Sequence, residues 1–144
     1  MNILIISANR YRFPMPVIPI GACMVAESLH LAGHNVRLLD LMFEKNPLKA
    51  IRRGVGRLNP DVVGLSLRNI DNNDMQSPAF FIKEAASKVK AISTITDAAI
   101  VIGGAAVSVM PEELLRYTGA SWAILGDGEN TFPLFLEKLS GGGS

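Results

Sequence analysis

The chain has 144 residues, of which 49% are hydrophobic and 19% are charged, and its formal net charge is +1. This length suffices for one domain with its own core, and the near-neutral charge argues against a nucleic-acid partner. A single cysteine excludes an internal disulfide and suits a reducing compartment. The chain begins with a strand-like segment, and no apolar run approaches the length of a membrane span. We therefore expect a cytoplasmic domain without a membrane span.

Five short apolar runs recur along the chain. Continuous runs of this length are typical of strands that are buried on both faces, as in a parallel sheet. The predicted strands are residues 3–6, 36–39, 62–67, 99–102 and 122–125.

Helix-period segments lie between these runs. Apolar residues occur at i, i+3, i+4 and i+7 in residues 22–29, 82–89 and 132–139. Weaker patterns at residues 48–55 and 114–115 predict a second and a fourth helix. Five strands alternating with five helices predict a doubly wound α/β domain with a parallel sheet, for which we expect the flavodoxin-like order 2-1-3-4-5. We expect this domain to occupy residues 1–140, and Gly141–Ser144 to form a flexible tail, either a linker or a cloning remnant.

Ligands of doubly wound sheets bind outside the carboxyl ends of the strands, so the loops at that edge carry the functional information. The first of these loops, SANRYRFPMPVIP, lacks the glycine-rich patterns of flavodoxin, dinucleotide and P-loop folds. It also lacks the acidic pair of a phosphoacceptor domain. After the fifth strand, GDGENT resembles a phosphate loop, but Asp127 and Glu129 would repel a phosphate there. The sequence therefore excludes the most common functions of this fold, namely flavin, dinucleotide or nucleoside triphosphate binding and phosphoacceptor activity.

Small residues follow three of the predicted strands. Gly103, Gly104 and Ala105 follow the fourth strand, Gly126 and Gly128 follow the fifth, and Ser66 ends the third. Such residues leave a slot between the strand ends and the helices, which a flat aromatic or heterocyclic group could enter. The same glycines also suit tight strand-to-helix turns, and both interpretations stay open.

Four stretches of the chain carry a resemblance to a known family. They are PIGACMVAESLHLAGHNVRLLDL, DVVGLSLRNIDN, VIGGAAVSVMPEELL and AILGDGENTFPLFLEKL, in this order. The chain resembles the cobalamin (vitamin B12)-binding domain found in front of radical S-adenosylmethionine enzymes. The resemblance covers nearly the whole chain, and the four stretches together are more specific than any one of them.

This resemblance implies a binding site for each part of the cofactor. The dimethylbenzimidazole tail would lie between Ser66 and the Gly103–Gly104 pair, with Gly126, Gly128 and Glu129 around the nucleotide loop. The corrin ring would lie across residues 9–13 and 68–73, where an amide-rich loop could hydrogen-bond the corrin carboxamides. The remaining cofactor-binding residues that we expect are Asn9, Arg10, Tyr11, Leu67, Arg68, Asn69, Asn72 and Ala105.

The loop after the first strand departs from the pattern of mutases and methionine synthases. Those proteins carry Asp-x-His-x-x-Gly there, and its histidine binds cobalt, whereas residues 7–14 contain neither Asp nor His. The Ser-x-Leu pattern is also broken at Ser66. We therefore expect no protein metal ligand, and a lower cobalt position that is empty, water-filled or approached by Asn9, Tyr11 or Asn72.

The cysteine content limits the chemistry of this chain. Radical S-adenosylmethionine enzymes hold a [4Fe–4S] cluster with three closely spaced cysteines, and Cys23 is the single cysteine here. We expect this chain alone to be non-catalytic, with the cluster and S-adenosylmethionine bound by a C-terminal radical domain of a methyltransferase or cyclase. The alternative is a stand-alone doubly wound domain that binds another nucleotide-like ligand or a protein partner.

Overall fold

The structure, a computed structural model, describes residues 1–141 and contains five strands and six helices there. The last three residues of the predicted tail lie outside the described residues. In chain order the elements are β1 (Asn2–Ser7), α1 (Ile20–Leu31), β2 (Asn35–Asp40), α2 (Pro47–Leu58), β3 (Val62–Ser66), α3 (Ile82–Ser93), β4 (Ala99–Gly103), α4 (Ala105–Val109), α5 (Pro111–Thr118), β5 (Trp122–Ala123) and α6 (Gly128–Ser140).

The strands form one parallel sheet in the order β2-β1-β3-β4-β5. This is the predicted doubly wound, flavodoxin-like order, and the prediction is confirmed. Parallel strands require crossover connections, and the helices of these crossovers cover both faces of the sheet. The central strands β1, β3 and β4 are buried, whereas β2 and β5 at the two edges are partly exposed, unlike the predicted burial on both faces.

The two faces of the sheet have separate cores. On one face, α1 and α6 pack against the sheet through side chains such as Leu29 and Leu136. On the other face, α2, α3 and α5 do so through side chains such as Ile51, Val89 and Leu114. Successive residues of each strand alternate between these two cores, and this alternation later decides which cavity a strand-end residue lines.

Two elements differ from the prediction. A sixth helix, α4, directly follows β4, because Gly104 with φ +101° turns the chain out of the sheet at once. It has five residues, too few for a helical period to be recognised in the sequence. Strand β5 is shorter than the predicted 122–125: the amide of Ile124 still donates to the carbonyl oxygen of Ile102 at 2.8 Å, and the chain then turns at Gly126 with φ +71°.

The ends of two helices carry residues that favour helix termini. Pro19 immediately precedes α1, and Gly33 follows it with φ +89°. Helix α2 begins at Pro47, and the side chain of Asn46 accepts a hydrogen bond from the Lys49 amide at 3.0 Å. Within residues 1–141, no helix combines the length and apolar character needed to cross a membrane.

Candidate functional site

The carboxyl ends of the central strands meet at one edge of the sheet. Ser7 pairs with Ser66, and Ser66 pairs with Gly103, so three small residues lie side by side there. Ser66 and Gly103 point towards the face covered by α1 and α6, whereas Leu67 belongs to the core on the opposite face. A cavity lies on each face of this edge.

The first cavity, which we call the glycine slot, lies between the strand ends and the helices α1 and α6. Its volume is about 480 Å³. Half of the predicted cofactor-binding residues line it: Ser66, Gly103, Gly104, Ala105, Gly126, Gly128 and Glu129. The structure therefore brings together all the residues that were expected around a benzimidazole tail and its nucleotide loop.

Different features of the structure explain why each of the two neighbouring positions in the slot is a glycine. A Cβ atom on Gly104 would lie 2.6 Å from the carbonyl oxygen of Leu67, and its φ of +101° disfavours any side chain. Gly104 is thus required by the turn. A Cβ atom on Gly103 would meet nothing closer than Ile124, at 3.6 Å. The backbone tolerates a side chain at Gly103, and its absence leaves the slot open.

The floor of the slot contains residues that the sequence interpretation missed. A Cβ atom on Gly64 would lie 2.8 Å from Ile5 Cδ1 and 3.1 Å from Phe132 Cε1, so Gly64 allows Phe132 of α6 to pack closely on β3. An isolated glycine inside a strand was the available signal, because it often marks such a close approach. Ile124 and Val25 add further apolar surface to the walls.

The rim of the slot is polar. The Ser108 hydroxyl accepts a hydrogen bond from the Gly126 amide at 3.4 Å, and the Ser28 hydroxyl donates to the carbonyl oxygen of Glu129. The carboxylates of Asp127 and Glu129 lie nearby. An apolar interior with acidic and hydroxyl groups at its mouth suits a neutral heterocycle better than a free phosphate.

The second cavity, which we call the polar cavity, lies on the opposite face of the same edge, beside α3. Its volume is about 310 Å³. Six further predicted residues line it: Asn9, Arg10, Tyr11, Leu67, Arg68 and Asn69. The side chains expected to face a corrin ring are thus gathered in one place, separate from the glycine slot.

Two arginines fix the loop between β1 and α1. Arg10 donates from Nε to the carbonyl oxygen of Leu41 at 3.3 Å and from Nη2 to that of Glu44 at 2.8 Å. Arg12 donates to the carbonyl oxygen of Met42 at 2.9 Å, and its guanidinium lies 5.0 Å from the centre of the Phe43 ring. These contacts tie the loop to the segment after β2.

Asn72, the remaining predicted residue, lines neither cavity and organises the loop between β3 and α3. Its side chain accepts from the Ala79 amide at 2.9 Å and donates to the carbonyl oxygen of Ser77 at 2.9 Å. It also lies 3.5 Å from the Tyr11 hydroxyl, and the Tyr11 ring packs against Phe81. The hydrogen-bonding capacity of Asn72 is therefore used largely within the protein.

A buried lysine in the polar cavity was also missed. Lys88 lies in the wall of the cavity, and its Nζ is 3.4 Å from Glu84 Oε2. Burial lowers the pKa of Lys88, an effect that the charge and hydrogen bond of Glu84 oppose. Ala85, Lys88, Val89 and Ile92 form the buried stripe of α3 at the spacing i, i+3, i+4 and i+7, so the position of Lys88 within that stripe was the available signal.

Both histidines lie away from the two cavities. His30 is in the last turn of α1, and His34 precedes β2, with its Nδ1 3.5 Å from the chain's amino terminus. Partial burial and the charge of that terminus lower the pKa of His34. Within residues 1–141, no group of three or more His, Cys, Asp or Glu side chains is arranged to hold a metal ion.

Comparison with known proteins explains this arrangement. The B12 binding domain family matches residues 7–136, which is most of the chain. The chain belongs to this family. The family resemblance predicted from the sequence is thus confirmed.

Two curated relatives of this B12 binding domain are methylating enzymes. The chain is 26% identical over 130 residues to tryptophan 2-C-methyltransferase of Streptomyces laurentii, and the match covers 90% of this chain and 22% of the relative. It is 33% identical over 124 residues to hopanoid C-3 methylase of Methylococcus capsulatus, covering 85% of this chain and 22% of the relative. The chain therefore spans less than a quarter of the length of these relatives.

Solved structures show the same relationship. The radical S-adenosylmethionine methyltransferase TsrM from Kitasatospora setae, with cobalamin and a [4Fe–4S] cluster bound, superimposes with a TM-score of 0.88 at 28% identity, over 99% of this chain and 25% of TsrM. The cobalamin-dependent radical enzyme OxsB, with aqua-cobalamin and S-adenosylmethionine bound, gives 0.76 at 18% identity, over 96% of this chain and 18% of OxsB. The latter similarity supports the fold alone.

Proposed function

We propose that this chain binds cobalamin with the dimethylbenzimidazole tail in the glycine slot and the corrin ring over the carboxyl edge of the sheet. The observation that carries the proposal is the open space beside Gly103. Gly103 has no side chain although its backbone tolerates one, and the space faces apolar walls. An unfilled apolar slot at the ligand-binding edge of a B12 binding domain suits a flat heterocycle.

The residues of the edge fit the other parts of the cofactor. Arg68 and Asn69 are exposed at the mouth of the polar cavity, and their side chains have no hydrogen-bond partner among the described residues. They are free to bind the carboxamides that surround a corrin ring. When bound, cobalamin supplies a cobalt centre that can carry a methyl group, whereas the protein binds, orients and shields it.

We further propose that no histidine of this chain binds the cobalt. A ligand to the lower face must lie at the carboxyl edge of the sheet. His30 lies in the last turn of α1 and His34 follows that helix, so both are about three helical turns from the loop where the helix begins. The groups near the edge that could approach the lower face are Asn9, Tyr11 and Asn72.

The whole protein is proposed to be a cobalamin-dependent radical S-adenosylmethionine enzyme, a methyltransferase or a cyclase, in the cytoplasm. The names of the relatives and the 22% coverage support this assignment. Large apolar side chains in the edge loops are exposed, including Phe13 (75%), Phe80 (65%) and Met75 (99%). Exposed apolar side chains in these loops suit contact with a C-terminal domain that binds S-adenosylmethionine and the iron–sulfur cluster. This chain alone would then be non-catalytic.

The proposal is tested by mixing the purified chain with hydroxocobalamin and removing free cofactor by desalting. The bound cobalt(III) is then reduced to cobalt(II) with an added one-electron reductant, and its electron paramagnetic resonance is recorded. The protein should retain the red cofactor, and the spectrum should lack nitrogen superhyperfine splitting because the tail is displaced and no imidazole replaces it. Loss of the cofactor on desalting would contradict cobalamin binding and favour another ligand or a protein partner.

Variants identify the source of any splitting. Nitrogen splitting that disappears in His30→Ala or His34→Ala would show a histidine ligand, contrary to the proposal. Splitting that persists in both variants would show that the cofactor's own benzimidazole still binds cobalt, and would contradict a tail displaced into the slot.

A further inference from the structure

Lys88 is an unusually buried charge for a residue that the cofactor site does not use. Its side chain is 5% exposed, and Glu84 is its one charged or hydrogen-bonding side-chain partner among residues 1–141. The Glu84 side chain is 59% exposed, and the two groups are 3.4 Å apart. A solvated carboxylate at this distance compensates poorly for the burial of an ammonium group.

The lining of the polar cavity carries an excess of positive charge. Arg10, Arg68 and Lys88 line it, and Glu84 is the single carboxylate among the lining residues. The two hydrogen bonds of Arg10 go to backbone carbonyl oxygens, which do not neutralise its charge. A cavity with this balance attracts an anion.

The rest of the lining is apolar. Leu67, Ile82 and Leu114 contribute aliphatic surface, and the Tyr11 and Phe81 rings pack together with centroids 5.5 Å apart. The volume of about 310 Å³ is at the small end of ligand-binding pockets. An inorganic ion would leave this apolar surface without contacts, whereas an organic acid would cover it.

We propose that the polar cavity is a second binding site, which binds a small organic anion. Lys88 and Arg10 bind the carboxylate of this anion, and its apolar or aromatic body packs against Leu67 and Tyr11. The site is separate from the glycine slot, because the two cavities lie on opposite faces of the sheet. It shares Arg10, Tyr11 and Leu67 with the surface proposed to face the corrin ring, so its test uses the cobalamin-free chain. It also explains why a lysine occupies the buried stripe of α3, where an apolar residue would pack without a desolvation penalty.

The test is a calorimetric or NMR titration of the cobalamin-free chain with benzoate and with benzamide, its uncharged analogue of the same shape. Benzoate should bind and benzamide should bind at least about tenfold more weakly, since a charge-assisted hydrogen bond distinguishes them. Equal affinity of the two probes, or no benzoate binding at all, would overturn the proposal.

Three variants locate the binding. Lys88→Met should weaken benzoate binding at least about tenfold, whereas Lys83→Met, which removes an exposed lysine of the same helix, should leave it unchanged. Glu84→Gln should strengthen binding, because it removes the carboxylate that competes for Lys88. Benzoate binding that survives Lys88→Met in folded protein, or that weakens in Glu84→Gln, would contradict the assignment. If Lys88→Met does not fold, the Glu84→Gln result decides.

The two proposed sites are separable by experiment. Gly103→Leu, which fills the glycine slot, should leave benzoate binding unchanged in cobalamin-free protein. Lost benzoate binding in Gly103→Leu would contradict a separate site. Failure to bind cobalamin would leave the benzoate result unaffected, since that titration contains no cofactor.

Discussion

Gly103 and Gly104 show how two neighbouring glycines can serve different purposes. The turn into α4 requires Gly104, since its φ is +101° and a Cβ atom there would lie 2.6 Å from the Leu67 carbonyl oxygen. That same oxygen accepts a hydrogen bond from the Ala106 amide at 3.1 Å, so it cannot easily move away. Gly103 carries neither constraint.

We expect Gly104→Ala to lower the free energy of unfolding by about 1–3 kcal/mol, because the backbone strain and the contact with Leu67 act together. Gly103→Ala, the matched control, should change it by about 0.5 kcal/mol or less. Urea denaturation of both variants measures the difference. Equal stabilities would show that the turn does not require Gly104.

The loop between β3 and α3 is the element in which structural and binding residues are most closely mixed. Asn72 holds the loop together through Ser77 and Ala79, whereas the side chain of Asn69 has no hydrogen-bond partner among the described residues. The sequence shows the same amide in both positions and does not distinguish these roles.

We expect Asn72→Ala to lower the free energy of unfolding by about 1 kcal/mol, since it removes hydrogen bonds within the loop. Asn69→Ala should leave stability unchanged and weaken cobalamin binding by about 0.5–1.5 kcal/mol, the contribution of one hydrogen bond to the corrin edge. Thermal unfolding and cofactor titration of both variants provide the measurements. A stability loss at Asn69 with unchanged affinity would assign that residue to the loop framework as well.

The elements differ in how well the sequence predicts them. The five strands follow from apolar runs that alternate with helical periods, and the order expected for such a fold is confirmed. The expected burial on both faces holds for β1, β3 and β4, whereas the edge strands β2 and β5 are partly exposed. Helix α4 was missed because five residues are fewer than two turns, and its start depends on the φ of Gly104. The early end of β5 likewise depends on the turn at Gly126, which no apolar pattern reveals.

At the scale of the whole molecule, the edge of the sheet supports two cavities because side chains alternate along a strand. Ser66 lines the glycine slot, whereas the adjacent Leu67 lines the polar cavity and helps to form the opposite core. The small residues of the glycine slot were identified by their position at the ends of predicted strands, whereas the residues of the polar cavity were expected from the family resemblance. The sequence did not identify Phe132, Gly64 or Lys88, since these reach the cavities through packing between distant elements. Contact of all these residues with a ligand stays a prediction.

The most direct test of the account compares cobalamin with cobinamide, which has the same corrin ring but lacks the nucleotide tail. We expect the wild-type chain to bind cobalamin at least about tenfold more tightly, since about 1.4 kcal/mol of slot contacts suffices for this difference. Gly103→Leu should abolish that preference by weakening cobalamin binding while leaving cobinamide binding unchanged, because overpacking of the slot costs about 1–3 kcal/mol. Gly56→Leu, at an exposed position of α2, is the control. Equal affinities for the two ligands in the wild type, or equal weakening of both by Gly103→Leu, would contradict a tail bound in the glycine slot.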